Sequence, residues 1–340
     1  MKAIIPVAGA GVRLRPLTYT QPKPLIPVAG KPIISFIIDQ LTAVGIQDFI
    51  FVIGYLGEKI SLFLEQAYPD LNKTFVTQED RLGSAHAIWT AKEAFADADE
   101  VFIFFGDAII DADFQQIIEL PNSCLGVKKV KDPREFGVVE MDRQGNVQRL
   151  VEKPKIPKSD LAMVGIYKIK EVQELIEALD YNISHKIRSH GEYPLTDALM
   201  RMIEKGVVFD TFTVDNWFNC GKKEVLLETN ASFLDREGYA SANLPTYDNS
   251  IIINPVSIGK NCEISNSIIG PHVTIGNNAR ISNAIVQDSI IGNFAFIKEI
   301  ILRNSVVGND TAITGFRHSF NIGDNTEIDF SAQQDLNRDK

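Results

Sequence analysis

The 340-residue chain is poor in the residues that most often bind metals or form cross-links, with three cysteines, five histidines and two tryptophans. Cys124, Cys220 and Cys262 are odd in number and far apart, so neither a disulfide framework nor a zinc knuckle is expected. Basic residues are also short: 34 Lys and Arg against 44 Asp and Glu leave a formal charge of −10. That balance excludes a nucleic-acid surface, which needs a basic face to displace counterions. No apolar run approaches the ~20 residues that cross a bilayer. Residues 1–8 lead into a strand without the basic start and apolar core of a secretion signal. A cytoplasmic protein without nucleic-acid or membrane partners is expected. A small anionic ligand remains open, provided a few cations gather locally.

The first half alternates strand and helix signals. Residues 3–7 are a short apolar run, 33–44 have helical spacing stopped by Gly45, and 48–53 are again apolar and β-branched or aromatic. Residues 73–77 and 101–105 read as further strands, with a helix over 84–95 between them. This alternation predicts a doubly wound, mostly parallel α/β sheet whose ligand edge lies at the C-terminal ends of the strands. From 123 to 167 the runs shorten to alternating strands such as 137–142 and 147–152, and the pattern reads as a lid on the sheet. Helices over 170–179 and 194–205, a strand over 207–214 and a helix over 222–234 close a large domain, residues 1–237.

After a linker at 238–248 the pattern changes again. Ile252, Ile258, Ile264, Ile269, Ile275, Ile281, Val286, Ile291, Ile297, Leu302, Val307 and Ile313 recur every five or six residues, and glycine often follows. Three such steps make a coil of about 17 residues, the mark of a hexapeptide repeat forming a left-handed parallel β-helix over 249–330. Phe316, Phe320 and the segment to Phe330 are expected to cap it, and 331–340 to form a disordered tail. Its apolar flank allows for a homo-oligomer.

The densest functional signal follows the first strand. In Gly9-Ala10-Gly11-Val12-Arg13-Leu14-Arg15-Pro16-Leu17-Thr18, glycines let backbone N–H groups approach an anion without a Cβ in the way. The third glycine of a dinucleotide fingerprint would fall at Leu14, and four prolines at 16, 22, 24 and 27 forbid the helix that should follow. Instead a loop of more than twenty residues runs to Pro32, which is placed to start a helix. It gathers Arg13, Arg15, Lys23 and Lys31, as a polyphosphate ligand would require.

This stretch, with Gln21-Pro22-Lys23-Pro24-Leu25-Ile26-Pro27-Val28-Ala29-Gly30-Lys31-Pro32, resembles the signature of the sugar nucleotidyltransferases. That family includes glucose-1-phosphate thymidylyltransferases, mannose-1-phosphate guanylyltransferases and the ADP-glucose and UDP-sugar pyrophosphorylases. The resemblance implies that Ala8, Gly9 and Gly11 bind nucleotide, that Arg13 binds the triphosphate and that Lys23 contacts the α-phosphate under attack. Val12 departs from the family's usual Thr or Ser, which removes a hydroxyl. Gln78 and Leu82-Gly83-Ser84-Ala85-His86-Ala87 resemble the base-binding segment, with Gln78 and Gly83 reading a pyrimidine. His86 is expected to be a helix residue without a catalytic part.

The resemblance also implies a Mg²⁺ cofactor held by Asp107 at a strand end. The second ligand of the family is the Asp of a Trp-x-Asp-x-Gly motif, where this chain has Trp217-Phe218-Asn219-Cys220-Gly221. Asn219 offers an oxygen without the charge. Gly137, Glu152, Lys153 and Val164 fall in motifs like those of the hexose 1-phosphate pocket. The expected activity is nucleotidyl transfer from a nucleoside triphosphate, dTTP or UTP, to a sugar 1-phosphate such as glucose 1-phosphate. The alternatives are a weakened regulatory homologue, guanylyl transfer to mannose 1-phosphate, and a bifunctional enzyme with an acyltransferase β-helix.

Overall fold

The computed structural model describes residues 1–315 and Thr326. In chain order the large domain comprises β1 (Lys2–Pro6), α1 (Ile33–Ala43), β2 (Asp48–Ile53), α2 (Gly57–Ala67), β3 (Asn72–Thr77), α3 (Ser84–Thr90), α4 (Lys92–Phe95), β4 (Val101–Phe104) and β5 (Ala108–Asp111). It continues with α5 (Phe114–Glu119), β6 (Ser123–Lys129), β7 (Gly137–Met141), β8 (Val147–Glu152), β9 (Leu161–Ile169), α6 (Val172–Ser184), α7 (Leu195–Glu204), β10 (Phe209–Thr213), β11 (Asn216–Asn219) and α8 (Lys223–Leu234). Among the described residues no helix is long and apolar enough to cross a membrane.

Nine strands make one sheet, ordered β8-β7-β9-β4-β1-β2-β3 along its main path, with β6 pairing β9 and β10. The half built from β4, β1, β2 and β3 is parallel, while β9 runs antiparallel to β4, β6 and β7. The expected lid over 123–167 is therefore corrected: those strands extend the sheet itself. Their alternating pattern comes from packing at its antiparallel end, because a half-covered strand shows the same period as a lid strand. At its centre the sheet is covered on both faces. Along β1 the side chain of Ile4 joins one core with Val101 and Ile103, and Ala3 and Ile5 join the other with Phe102 and Phe104. Each buried Ile, Val or Phe among them contributes roughly 1.5–3 kcal/mol. The helix expected over 84–95 breaks at Ala91.

Among the described residues the C-terminal part is a triangular coil of three parallel stacks, each of four short strands. Its register advances 17 residues, as in Ile268↔Ile285, and then 16, as in Ile285↔Ile301. The repeated Ile and Val positions point inward: Ile264, Ile269, Ile275, Ile281, Val286, Ile291 and Ile297 are buried in one cluster. Corners are turned by residues with positive φ, among them Asn261, Asn266, Asn278, Asn283, Asp288, Asn304 and Asp310. Asn and Asp tolerate that left-handed conformation better than other side chains. The repeated glycines have a steric cause, since a Cβ on Gly276 would lie 2.6 Å from Asn293 N on the next coil. The cap expected from Phe316, Phe320 and the segment to Phe330, and the tail at 331–340, lie outside the described residues.

The coil is packed against the large domain. Ile290 and Val306 share an apolar cluster with Leu14, Leu17, Ile26 and Val28 of the loop after β1 and Phe233 of α8. At its centre the buried amide of Asn230 accepts from Ala29 N at 2.9 Å and Thr274 Oγ1 at 2.7 Å, and donates to His272 O at 3.2 Å. One side chain of α8 thus ties the loop to two residues of the coil.

Candidate active site

The loop after β1 has regular local structure in place of the α-helix its prolines forbid. It winds through three 3₁₀ turns, Val12–Leu14, Leu17–Tyr19 and Lys23–Leu25, and then a two-residue ribbon, Pro27–Val28 with Lys31–Pro32. Pro32 is the residue before α1 and not its first member. Gly11 sits at φ 60°, and a Cβ there would meet Thr18 Cγ2 at 3.0 Å and Lys23 Cβ at 3.2 Å. The buried Thr18 hydroxyl donates to Gly11 O at 2.9 Å, which folds the loop back on itself. This packing brings Lys23 inward: its side chain is 9% exposed and its Nζ lies 3.1 Å from Asp107 Oδ2.

A cavity of about 320 Å³ opens here, lined by Gly9, Gly11, Arg13, Lys23, Ser84 and Asp107 among others. The four loop cations do not act as one cluster. Lys31 is ion-paired to Asp39, and Arg15 lies over the Tyr19 ring at 4.9 Å, whereas Arg13 and Lys23 line the cavity. Ala8 is buried beside it, with its carbonyl accepting from Tyr55 N.

A second cavity of about 220 Å³ shares Ser84, Phe105 and Asp107 with the first. Gly137, Glu152, Lys153 and Val164 line it together. Glu152 Oε2 accepts from Thr196 Oγ1 at 2.6 Å, and its Oε1 lies 3.7 Å from Lys153 Nζ. Gly137 is needed for closeness: a Cβ there would stand 2.3 Å from Met163 Cε and 2.9 Å from Thr196 Oγ1. The register of β9 shifts between Met163 and Tyr167, and this bulge sets Val164 and Gly165 at the cavity wall. Burial, with Glu152 and Asp107 nearby, pushes the Tyr167 hydroxyl up, so it stays protonated. Thr196, at the start of α7, had no signal of its own in the sequence. Its part is visible only through the contact with Glu152.

β5 and β11 form a separate ribbon in which Asn219 pairs with Ala108, the residue after Asp107. The two positions of the expected metal site thus meet at one end of the ribbon, while Asp215 precedes the Asn216↔Asp111 pair at the other. Among the described residues Asn219 Oδ1 is buried without a hydrogen-bond partner. It stands 3.2 Å from where a Cβ on Gly221 would lie, and the Arg13 guanidinium stands 3.3 Å from the same point. No group of three or more His, Cys, Asp or Glu suited to a metal exists among the described residues.

Gln78 follows β3 and is buried; its Nε2 donates to Gly83 O at 3.3 Å and lies 2.9 Å from His86 Nδ1. Gly83 adopts φ 113°, and a Cβ would come within 2.5 Å of Tyr193 O. Cys124 and Cys220 are buried, and burial pushes their thiols up to about 12 and about 11. Neither is a nucleophile at neutral pH.

Residues 2–236 match the nucleotidyl transferase family, and 243–329 match the GlmU-like C-terminal hexapeptide family. A bifunctional protein GlmU from Methanocaldococcus jannaschii is 38% identical over 69% of this chain, which spans only 55% of that relative. A glucose-1-phosphate thymidylyltransferase from Streptomyces antibioticus is 30% identical over 78% of this chain and 75% of its own length. Among solved structures, a UDP-glucose pyrophosphorylase complexed with UDP-glucose superposes with a TM-score of 0.61 at 22% identity, covering 68% of this chain and 97% of that one. That likeness is one of fold. The family match covers more than half of the chain and includes the phosphate loop, Gln78, Asp107, Glu152 and Asn219, and on this ground the chain belongs to the nucleotidyl transferase family.

Proposed function

We propose that the protein transfers a nucleotidyl group from a pyrimidine nucleoside triphosphate, dTTP or UTP, to a sugar 1-phosphate such as glucose 1-phosphate, releasing pyrophosphate. The observation that carries this reading is the pair of joined cavities. One is lined by Arg13 and Lys23, the other by Glu152 and Lys153, and Asp107 lies in both. The thymidylyltransferase named above supports the substrate class.

A sugar-phosphate oxygen attacks the α-phosphorus, and the bond to the pyrophosphate oxygen breaks. The attacking oxygen is already anionic at neutral pH, so no general base is required. The barrier is mainly repulsion between anions, which fixed cations offset. Lys23 is assigned to the α-phosphate and Arg13 to the β- and γ-phosphates. Glu152 accepts hydrogen bonds from sugar hydroxyls, held by Thr196, while Lys153 pairs with the sugar's phosphate.

Asp107 and Asn219 suit a hard cation, since one offers a carboxylate and the other an amide oxygen with no protein partner. Mg²⁺ bound there would neutralise phosphate charge, with the nucleotide supplying further oxygens. Asn219 keeps a catalytically weakened homologue as the competing reading. The GlmU-like match over 243–329 keeps a second, acyl-transferring activity as an alternative, for which the described coil supplies no evident base. His272 has its two ring nitrogens 3.1 Å from Asp288 and 3.3 Å from Asp235, and so no free nitrogen for a general base.

Pyrophosphate release measured across a matrix of nucleoside triphosphates and sugar 1-phosphates tests the proposal. The expected result is turnover with dTTP or UTP. Strong preference for ATP or GTP overturns the base assignment, and no turnover with any pair favours the weakened homologue.

A further inference from the structure

The amide of Gln78 is committed on one side. A primary amide has two N–H donors, and Nε2 is shared between Gly83 O at 3.3 Å and His86 Nδ1 at 2.9 Å. Gly83 O is a carbonyl and only accepts, so it fixes which end of the amide is nitrogen. It follows that His86 Nδ1 accepts as well and that the ring proton sits on Nε2. Both N–H groups are then used. The amide oxygen, which has no partner among the described residues, is the atom left to meet a ligand.

We infer that His86 is a positioning residue for base selection: by accepting from Gln78 Nε2 it presents Gln78 Oε1 to the base, which favours bases with a ring N–H. The inference rests on Gln78 being the base reader. Uracil and thymine carry N3–H and donate to that oxygen, whereas cytosine has a lone pair at N3, so two acceptors would face each other. Adenine N1 is refused on the same ground. Guanine also has a ring N–H, so this device sorts oxo from amino bases and leaves ring size to the rest of the pocket.

The surroundings of His86 suit an acceptor. Its ring lies among Trp89, at a centroid distance of 5.6 Å, and Tyr193, at 6.5 Å. Burial lowers its pKa from the usual 6.5, with Asp80 opposing and Arg188 assisting, so the imidazole is neutral at pH 7. Protonation in acid would put a donor at Nδ1 against the Gln78 N–H and favour the flipped amide. Base selection should therefore be complete at neutral pH and weaken only in more acidic solution than an ordinary histidine requires, as pH falls through the lowered His86 pKa.

The test is the ratio of kcat/KM for the preferred nucleotide, UTP or dTTP, to that for CTP. His86→Leu should lower the ratio about tenfold, the worth of one hydrogen bond, mainly through KM for the preferred nucleotide. His86→Asn, whose Oδ1 can stand near the place of Nδ1, should restore most of it and abolish its decline in acid. An unchanged ratio in a folded His86→Leu variant overturns the inference. If that variant fails to fold, a wild-type ratio that is flat with pH, or one that declines equally in His86→Asn, overturns it instead. Gln78→Ala separates the two layers. If this variant keeps the wild-type ratio, Gln78 does not read the base and the underlying assignment fails. If it collapses the ratio while His86→Leu does not, only the role of His86 fails.

Discussion

Lys23 Nζ lies 3.1 Å from Asp107 Oδ2, although 84 residues separate them, with one partner on the phosphate loop and the other just past β4. The lysine is nearly buried and the carboxylate about half exposed. The pair holds a cation at the cleft before substrate arrives and leaves the carboxylate open to solvent.

Lys23→Ala should lower kcat roughly 100-fold or more while changing KM for the nucleotide far less. The charge acts where negative charge rearranges on the phosphate, and such donors are worth about that much. Steady-state kinetics with varied nucleotide check this. An equal loss on replacing an exposed lysine such as Lys222 would show that the effect is not local.

Asn219→Asp should lower the Mg²⁺ concentration for half-maximal rate and raise turnover, because a charged oxygen holds a hard cation better than an amide. The buried Oδ1 lacks a partner, so nothing in the protein competes for the new charge through an existing hydrogen bond. The check is a Mg²⁺ titration at fixed nucleotide. Unchanged metal dependence means that residue 219 does not touch the metal.

Thr196→Val removes the 2.6 Å hydrogen bond that orients Glu152 and leaves a residue of nearly equal size. A hydrogen bond to a charged group is worth about 1.5–3 kcal/mol. KM for the sugar phosphate should therefore rise on the order of tenfold, with KM for the nucleotide little changed. A parallel rise in both would mean that Thr196 supports the cleft as a whole.

Asn230→Leu strips the loop-to-coil junction of an acceptor and a donor, and Ala29 N and Thr274 Oγ1 lose their shared partner. Each stranded buried group costs roughly 1–3 kcal/mol. Thermal unfolding should move to lower temperature, and activity should fall because the same loop carries Lys23. A variant with lowered Tm and full activity would show that the coil stabilises the domain without shaping its site.

The α/β alternation, the coil and the phosphate loop were legible because each is written in local periodicity or in glycine and proline placement. The recurring Ile and Val positions of the coil could be read inward from their spacing, but Val256 and Val273, two residues before Ile258 and Ile275 on the same inward side, carried no such mark. The site was legible only as far as motifs reached. Gln78 and Glu152 could be marked by resemblance, but the contact of Gln78 with His86 and that of Glu152 with Thr196 could not, because polar contacts follow no period.

What the sequence determined by itself is the α/β alternation, the repeat of the coil and the cation-bearing loop, all set by neighbours in the chain, whereas the helices Gly57–Ala67 and Phe114–Glu119 and the strands Ala108–Asp111 and Asn216–Asn219 went unread. Tertiary structure decided that the segment at 123–167 joins the sheet, that Arg13 and Lys23 face the cavity while Arg15 and Lys31 do not, and that Asn219 stands across from Ala108. It also decided which end of the Gln78 amide is free. These depend on which distant groups share a small volume, and steric fit and hydrogen-bond satisfaction settle that only once the chain has closed on itself.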